Sequence, residues 1–146
     1  MNNINELIDI CEHNNEGFMP VVDFESWRVA RTNHSGNTDK DSISSMGKHL
    51  CTDEAFVLLE GKAVLVVASG EDKPENIHCI NMEKVKVYNV RKNVLHSLVM
   101  TKDAKILIVE NRNTASDNSR VIKLDSSQIK YIGNEAEKHF SCVCDK

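Results

Sequence analysis

The segment Gly47-Lys48-His49-Leu50-Cys51-Thr52-Asp53-Glu54-Ala55-Phe56-Val57-Leu58-Leu59-Glu60-Gly61 sets a lone histidine five positions ahead of a carboxylate and a turn glycine seven positions behind it. Side chains of an extended chain alternate between faces, so residues five apart point in opposite directions. For His49 and Glu54 to meet, the backbone must bend between them. Thr52 and Asp53 favour the local side-chain-to-backbone turns that produce such a bend. Without it, His49 lies on a rim and Glu54 is an exposed strand start. Downstream, Phe56 to Leu59 and Ala63 to Val67 are apolar runs joined across Glu60-Gly61. That pattern predicts a hairpin over Ala55 to Ser69. Both faces of its strands are apolar, which predicts burial between two sheets.

Outward from this hairpin, turn-rich stretches keep interrupting short β-type runs. Strands are expected around Ser26 to Thr32, with Trp27, Val29 and Arg31 on one face, and near Ile77 to Ile80, Val85 to Val90, Leu95 to Met100, Ile106 to Glu110 and Val121 to Leu124. Asn33 to Asp41 and Asn111 to Ser119 read as loops, the first overhanging one end of the fold. At the N-terminus, Ile4, Leu7, Ile8 and Cys11 fall at helical spacing, with Asn2 or Asn3 as the cap. They predict a short amphipathic helix to about His13. Asn134 to Lys138 predicts a second short helix. Three parts follow: residues 1–20 as N-terminal helix and lead-in, 21–133 as a β-barrel, and 134–146 as a C-terminal helix or tail. Many short strands without helical periodicity between them mean an all-β sandwich or barrel.

A second segment, Arg91-Lys92-Asn93-Val94-Leu95-His96-Ser97-Leu98-Val99-Met100, carries the other informative histidine. Together the two segments resemble the paired signature motifs of the cupin superfamily. The resemblance runs over roughly Met46 to Glu110 and implies a double-stranded β-helix, or jelly-roll barrel. It places the metal ligands on His49, Glu54 and His96, with Gly47 standing where the family carries its first histidine. Asn93 takes the place of a turn glycine, and asparagine tolerates the left-handed backbone such a turn needs. Arg91 replaces a proline, and Met100 a frequent asparagine. Two neutral imidazoles and a carboxylate with open positions suit Zn, Mn, Fe or Ni. His34 is the other histidine expected near the barrel mouth, while His13, His78 and His139 are expected at the surface or in packing.

Composition narrows the functional classes. The 146 residues make about one domain, 40% hydrophobic and 27% charged, enough for one buried core. A net charge of −4, with Lys and Arg scattered, argues against a general nucleic-acid binder. The longest strongly apolar run, Ala63 to Ala68, falls far short of the roughly 20 residues that span a bilayer, and the start lacks a secretory pattern. A cytoplasmic protein is expected. Five cysteines, an odd number, read as reduced thiols. Cys142 and Cys144, with His139 nearby, read as a tail with free thiols or a soft-metal cluster. Two classes of function stay open: a cupin-like module binding a small polar metabolite without catalysis, and a metal-dependent isomerase, lyase or oxygenase acting on a small sugar or carboxylate. Trp27, Phe56 and Tyr88, with His34, are the expected pocket wall. Sheet edges left open predict a homodimer.

Overall fold

The computed structural model describes residues 3–142. Among these, ten strands form two antiparallel five-stranded sheets that face each other. The first sheet runs β1 (Gly17–Phe24), β2 (Trp27–Asn33), β9 (Lys105–Asn111), β4 (Glu54–Glu60), β7 (Val87–Val90). The second runs β10 (Ser119–Lys123), β3 (Ser45–His49), β8 (Leu95–Met100), β5 (Ala63–Ser69), β6 (Glu75–Asn81). From β2 to β5 and again from β6 to β10 each strand crosses to the other sheet, while β1–β2 and β5–β6 pair within one, which gives the double-stranded β-helix expected from the motifs. It is an open double sheet rather than a closed barrel.

Alternation along the strands sets what lies between the sheets. Ala30 of β2, Phe56 and Leu58 of β4, Leu65 of β5, Leu98 of β8 and Ile106 and Ile108 of β9 turn inward and form one core. The second sheet buries its outer face too. There Met46, Val64, Val66, Leu95 and Val99 pack against Ile132 and Ala136 of a C-terminal helix, α1 (Ser126–Ser141). The Asp125 carboxylate caps α1 by accepting from the Ser127 and Gln128 amides, and the Gln128 side chain accepts from the Asp125 amide. That reciprocal capping box begins the helix well before the expected Asn134, so the boundary drawn at 134 falls inside it.

Three other expectations change. β4 and β5 belong to opposite sheets, so Ala55 to Ser69 is a crossing between sheets and not a hairpin. β5 is apolar on both faces because the inter-sheet core covers one and α1 the other. Gly61 makes the crossing at φ +69°, with its Cα so close to Ala104 that an added Cβ would lie 2.5 Å from the Ala104 Cα. The N-terminal helix is reduced to a single 3₁₀ turn, Ile4–Glu6, capped by the Asn3 side chain. Leu7, Ile8 and Ile10 remain exposed, so helical spacing found no surface to pack on. Of the alternative cap and the proposed thiol pair, Asn2 and Cys144 lie outside the described residues. Cys11, Cys51, Cys79 and Cys142 are free thiols.

Candidate functional site

The bend required between His49 and Glu54 exists and is held from across the fold. β3 ends at His49 and β4 begins at Glu54. Between them the Asp53 carboxylate accepts from the Asn89 side chain and the Lys92 amide, 2.9 Å each. The His49 carbonyl accepts from the Asn93 amide at 2.8 Å, and Asn93 takes the left-handed conformation, φ +65°, that its glycine-like place requires. The two motif segments thus lock each other. His96, on β8, comes in beside Gly47 of β3, its register partner.

The outcome is a convergence on one oxygen. Glu54 Oε2 lies 3.0 Å from His49 Nε2 and 2.8 Å from His96 Nε2. The far nitrogen of each ring is also engaged: His49 Nδ1 meets Ser119 Oγ at 2.8 Å, and His96 Nδ1 meets the Val94 carbonyl at 3.0 Å. A carbonyl only accepts, so His96 carries its hydrogen on Nδ1, and when neutral it turns a lone pair toward Glu54. Two lone pairs at 2.8 Å require a cation between them, either a proton or a metal ion. Burial would raise the Glu54 pKa, but the hydrogen bonds and charge of the two imidazoles outweigh it and hold the carboxyl at about 2. The bond from Glu54 in turn raises His49, against the opposing effect of its burial.

The donor set fits a divalent metal. All three ligand atoms lie within 4.8 Å of one another. Separations near 3 Å match neighbouring ligands around an ion with bonds of about 2.1 Å. Each imidazole has the outer hydrogen-bond partner that orients a metal-binding ring.

The cluster opens into a cavity of about 590 Å³ between the sheets. Phe56 lines it, edge-on to His96 with ring centroids 5.7 Å apart. The other expected wall residues lie elsewhere. Trp27 faces outward against Phe24, because β2 turns Arg28, not Trp27, toward the cavity. Tyr88 packs against the core and its hydroxyl accepts from the Glu83 amide. His34 bonds Asp39 and borders a separate depression, away from the cluster. Among the cavity residues that were not expected, two are charged. Arg28 and Glu110 pair on the inner face of the first sheet, Arg28 Nε donating to Glu110 Oε1 at 2.8 Å. Strand register puts Arg28, Glu110 and Glu54 in one row across β2, β9 and β4. Burial raises the Glu110 carboxyl and the Glu54 charge adds to the rise, with Arg28 acting against both. The signal was an inner face of Arg28, Ala30 and Thr32 alternating with the apolar outer Trp27 and Val29, which reads equally well the other way round.

No family model and no curated protein matches the sequence. Among solved structures, the chain is similar to Streptomyces Pac13 with uridine, at 10% identity and a TM-score of 0.55 over 80% of this chain and 87% of that one. Pac13 is described as a nucleoside dehydratase. The chain is also similar to the capsular polysaccharide assembling protein CapF of Staphylococcus aureus, at 14% identity and a TM-score of 0.54 over 79% of this chain and 32% of that one. A third similar structure is an RmlC-like cupin family protein with a double-stranded β-helix fold from Methanocaldococcus jannaschii. There the identity is 10% and the TM-score 0.51, over 72% of this chain and 91% of that one. At such identities the likeness carries the fold and no chemistry. The chain thus has the double-stranded β-helix fold that these cupin structures share.

Proposed function

We propose that the protein binds a small polar metabolite in the cavity between its sheets, beside a divalent metal held by His49, Glu54 and His96. The observation that supports this most is the meeting of both Nε2 atoms on one Glu54 oxygen, with the His96 ring fixed in its Nδ1–H form by Val94. When bound, the metal supplies Lewis-acid charge to a ligand oxygen. The chain's own residues do the rest. Ser119 and Val94 aim the rings, Glu54 offsets the positive charge, and Phe56 gives an apolar wall against which a carbon skeleton can lie. Elemental analysis of protein purified without a chelating tag tests the reading. About one equivalent of Zn, Mn, Fe or Ni per chain is expected, and protein that neither carries nor takes up any of them overturns it.

One observation favours a second reading, a lyase of the dehydratase kind. Elimination of water needs one group to take a proton and another to give one to the departing hydroxyl. Glu110, its carboxyl raised by burial and by Glu54, is placed on the cavity wall to hold such a proton. In that case turnover of hydroxylated ligands should fall on Glu110→Gln while metal content stays unchanged. The same reading takes the protein as a homodimer, since Leu59, Val87 and Val109 expose apolar side chains on the outer face of the first sheet. Sedimentation at micromolar concentration should find a dimer, and a strict monomer would remove that element.

A further inference from the structure

Arg28 has no part in holding the His/Glu/His cluster, yet it is built into the same cavity with unusual constraint. Its Nε and Nη2 both contact Glu110 Oε1, at 2.8 and 2.7 Å, and Nη2 also donates to the Thr114 carbonyl at 3.1 Å. The guanidinium lies 5.5 Å from the centre of the Phe18 ring, a cation–π distance. Three partners thus fix its plane. Among the described residues nothing accepts from Nη1, which leaves two N–H donors on a side chain that lines the cavity.

The row Arg28–Glu110–Glu54 crosses adjacent strands, so Arg28 stands two strand spacings from the cluster, about 10 Å between backbones. A molecule of a few carbons spans that gap. Charge then selects what kind. Arg28 contributes one positive charge, Glu110 and Glu54 one negative each, and a divalent cation on the cluster two positive. The cavity is left with one net positive charge, and protonation of Glu110 would only add to it. Thr32 on the first sheet and Ser45 and Ser119 on the second also line the cavity, and their hydroxyls suit a ligand that itself carries hydroxyl groups.

We infer that the ligand is a small hydroxylated carboxylate, with its carboxylate held by Arg28 Nη1 and a hydroxyl directed toward the His49–Glu54–His96 cluster. Arg28 is thereby a specificity-determining residue, pre-aimed by Glu110, Thr114 and Phe18 so that little ordering is needed on binding. This inference rests on the metal reading above, because without the divalent ion the charge of the cavity no longer favours an anion.

The test is calorimetric titration of Zn(II)-loaded protein with lactate, glycerate and gluconate, each beside its neutral primary amide, and with inorganic phosphate. At least one acid should bind about tenfold or more tighter than its amide and tighter than phosphate. Arg28→Gln should erase the acid-over-amide preference while zinc content, measured separately, stays at the wild-type level. Arg28→Lys, which keeps the charge, should retain part of it. A merely structural role for Arg28 would lower acid and amide binding together and leave their ratio intact, and that result overturns the inference. So does a zinc-loaded protein that binds no acid in preference to its amide, or that prefers phosphate. Protein that takes up no metal overturns the underlying reading and this inference with it, and zinc content tells that failure from the others.

Discussion

Glu54 is the residue on which the cluster turns, because a single carboxylate oxygen serves both imidazoles. In metal-free protein its ionised form adds stability that is fully present above the unfolded carboxylate value of about 4.3 and is lost as pH falls through the folded value of about 2. His49 is raised, so its contribution is fully present below the unfolded imidazole value of about 6.5 and is lost as pH rises through the folded one. The pair therefore helps metal-free protein most between about pH 4.5 and about pH 6.5. Metal reverses the upper half of that profile, since it must displace protons from the rings. The rise in melting midpoint on adding Zn(II) should grow from about pH 5.5 to about pH 7.5, and a rise that shrinks would contradict ligation by His49. His96→Ala should weaken zinc binding by about a hundredfold or more in titration of metal-depleted protein. Gly47→His should strengthen it. The register places Gly47 beside His96, and an added Cβ would meet only the Arg120 carbonyl, at 3.8 Å. Unchanged affinity in that variant would mean that the position does not face the metal.

At the scale of elements, α1 is the part whose loss should cost most, because the outer face of the second sheet is apolar only where the helix covers it. Ile132 is fully buried there, and Ile132→Ala should lower unfolding free energy by about 2–5 kcal/mol in urea titration. Gly61→Ala should also destabilise, as its φ of +69° and the contact with Ala104 leave no place for a methyl group; an unchanged urea midpoint would count against the crossing. These elements differ in how far the sequence reveals them. Short β-type runs bounded by turn residues locate β8 and β9 to within a residue. Partners are another matter. The apolar β4 and β5 with a glycine between them have the local pattern of a hairpin, and only the long-range pairing of β4 with β9 and of β5 with β8 sends them to opposite sheets. The start of α1 rests on the capping box of Asp125 and Gln128, which is written in the sequence but lies ahead of a strongly polar first turn. Likewise His49, Glu54 and His96 stand out by spacing, whereas Arg28 and Glu110 do not, because a one-residue choice of register decides whether Arg28 or Trp27 enters the cavity.

For the molecule as a whole, the two sheets divide the labour. Their apolar inner faces make a rigid core at one end, from Ala30 to Ile108, and leave an open cavity at the other, where the inner face turns polar and charged. α1 stiffens the second sheet from outside without entering the cavity, so the cluster is carried by strands rather than by mobile loops. No described helix is long and apolar enough to cross a membrane. The central claim is that a divalent metal sits on His49, Glu54 and His96, and anomalous diffraction from crystals of the protein as purified tests it most directly. A single strong peak within about 2.3 Å of His49 Nε2, His96 Nε2 and Glu54 Oε2 is predicted. Crystals grown with Zn, Mn, Fe and Ni in turn that show no peak there, with both imidazoles still bonded to Glu54, would contradict it.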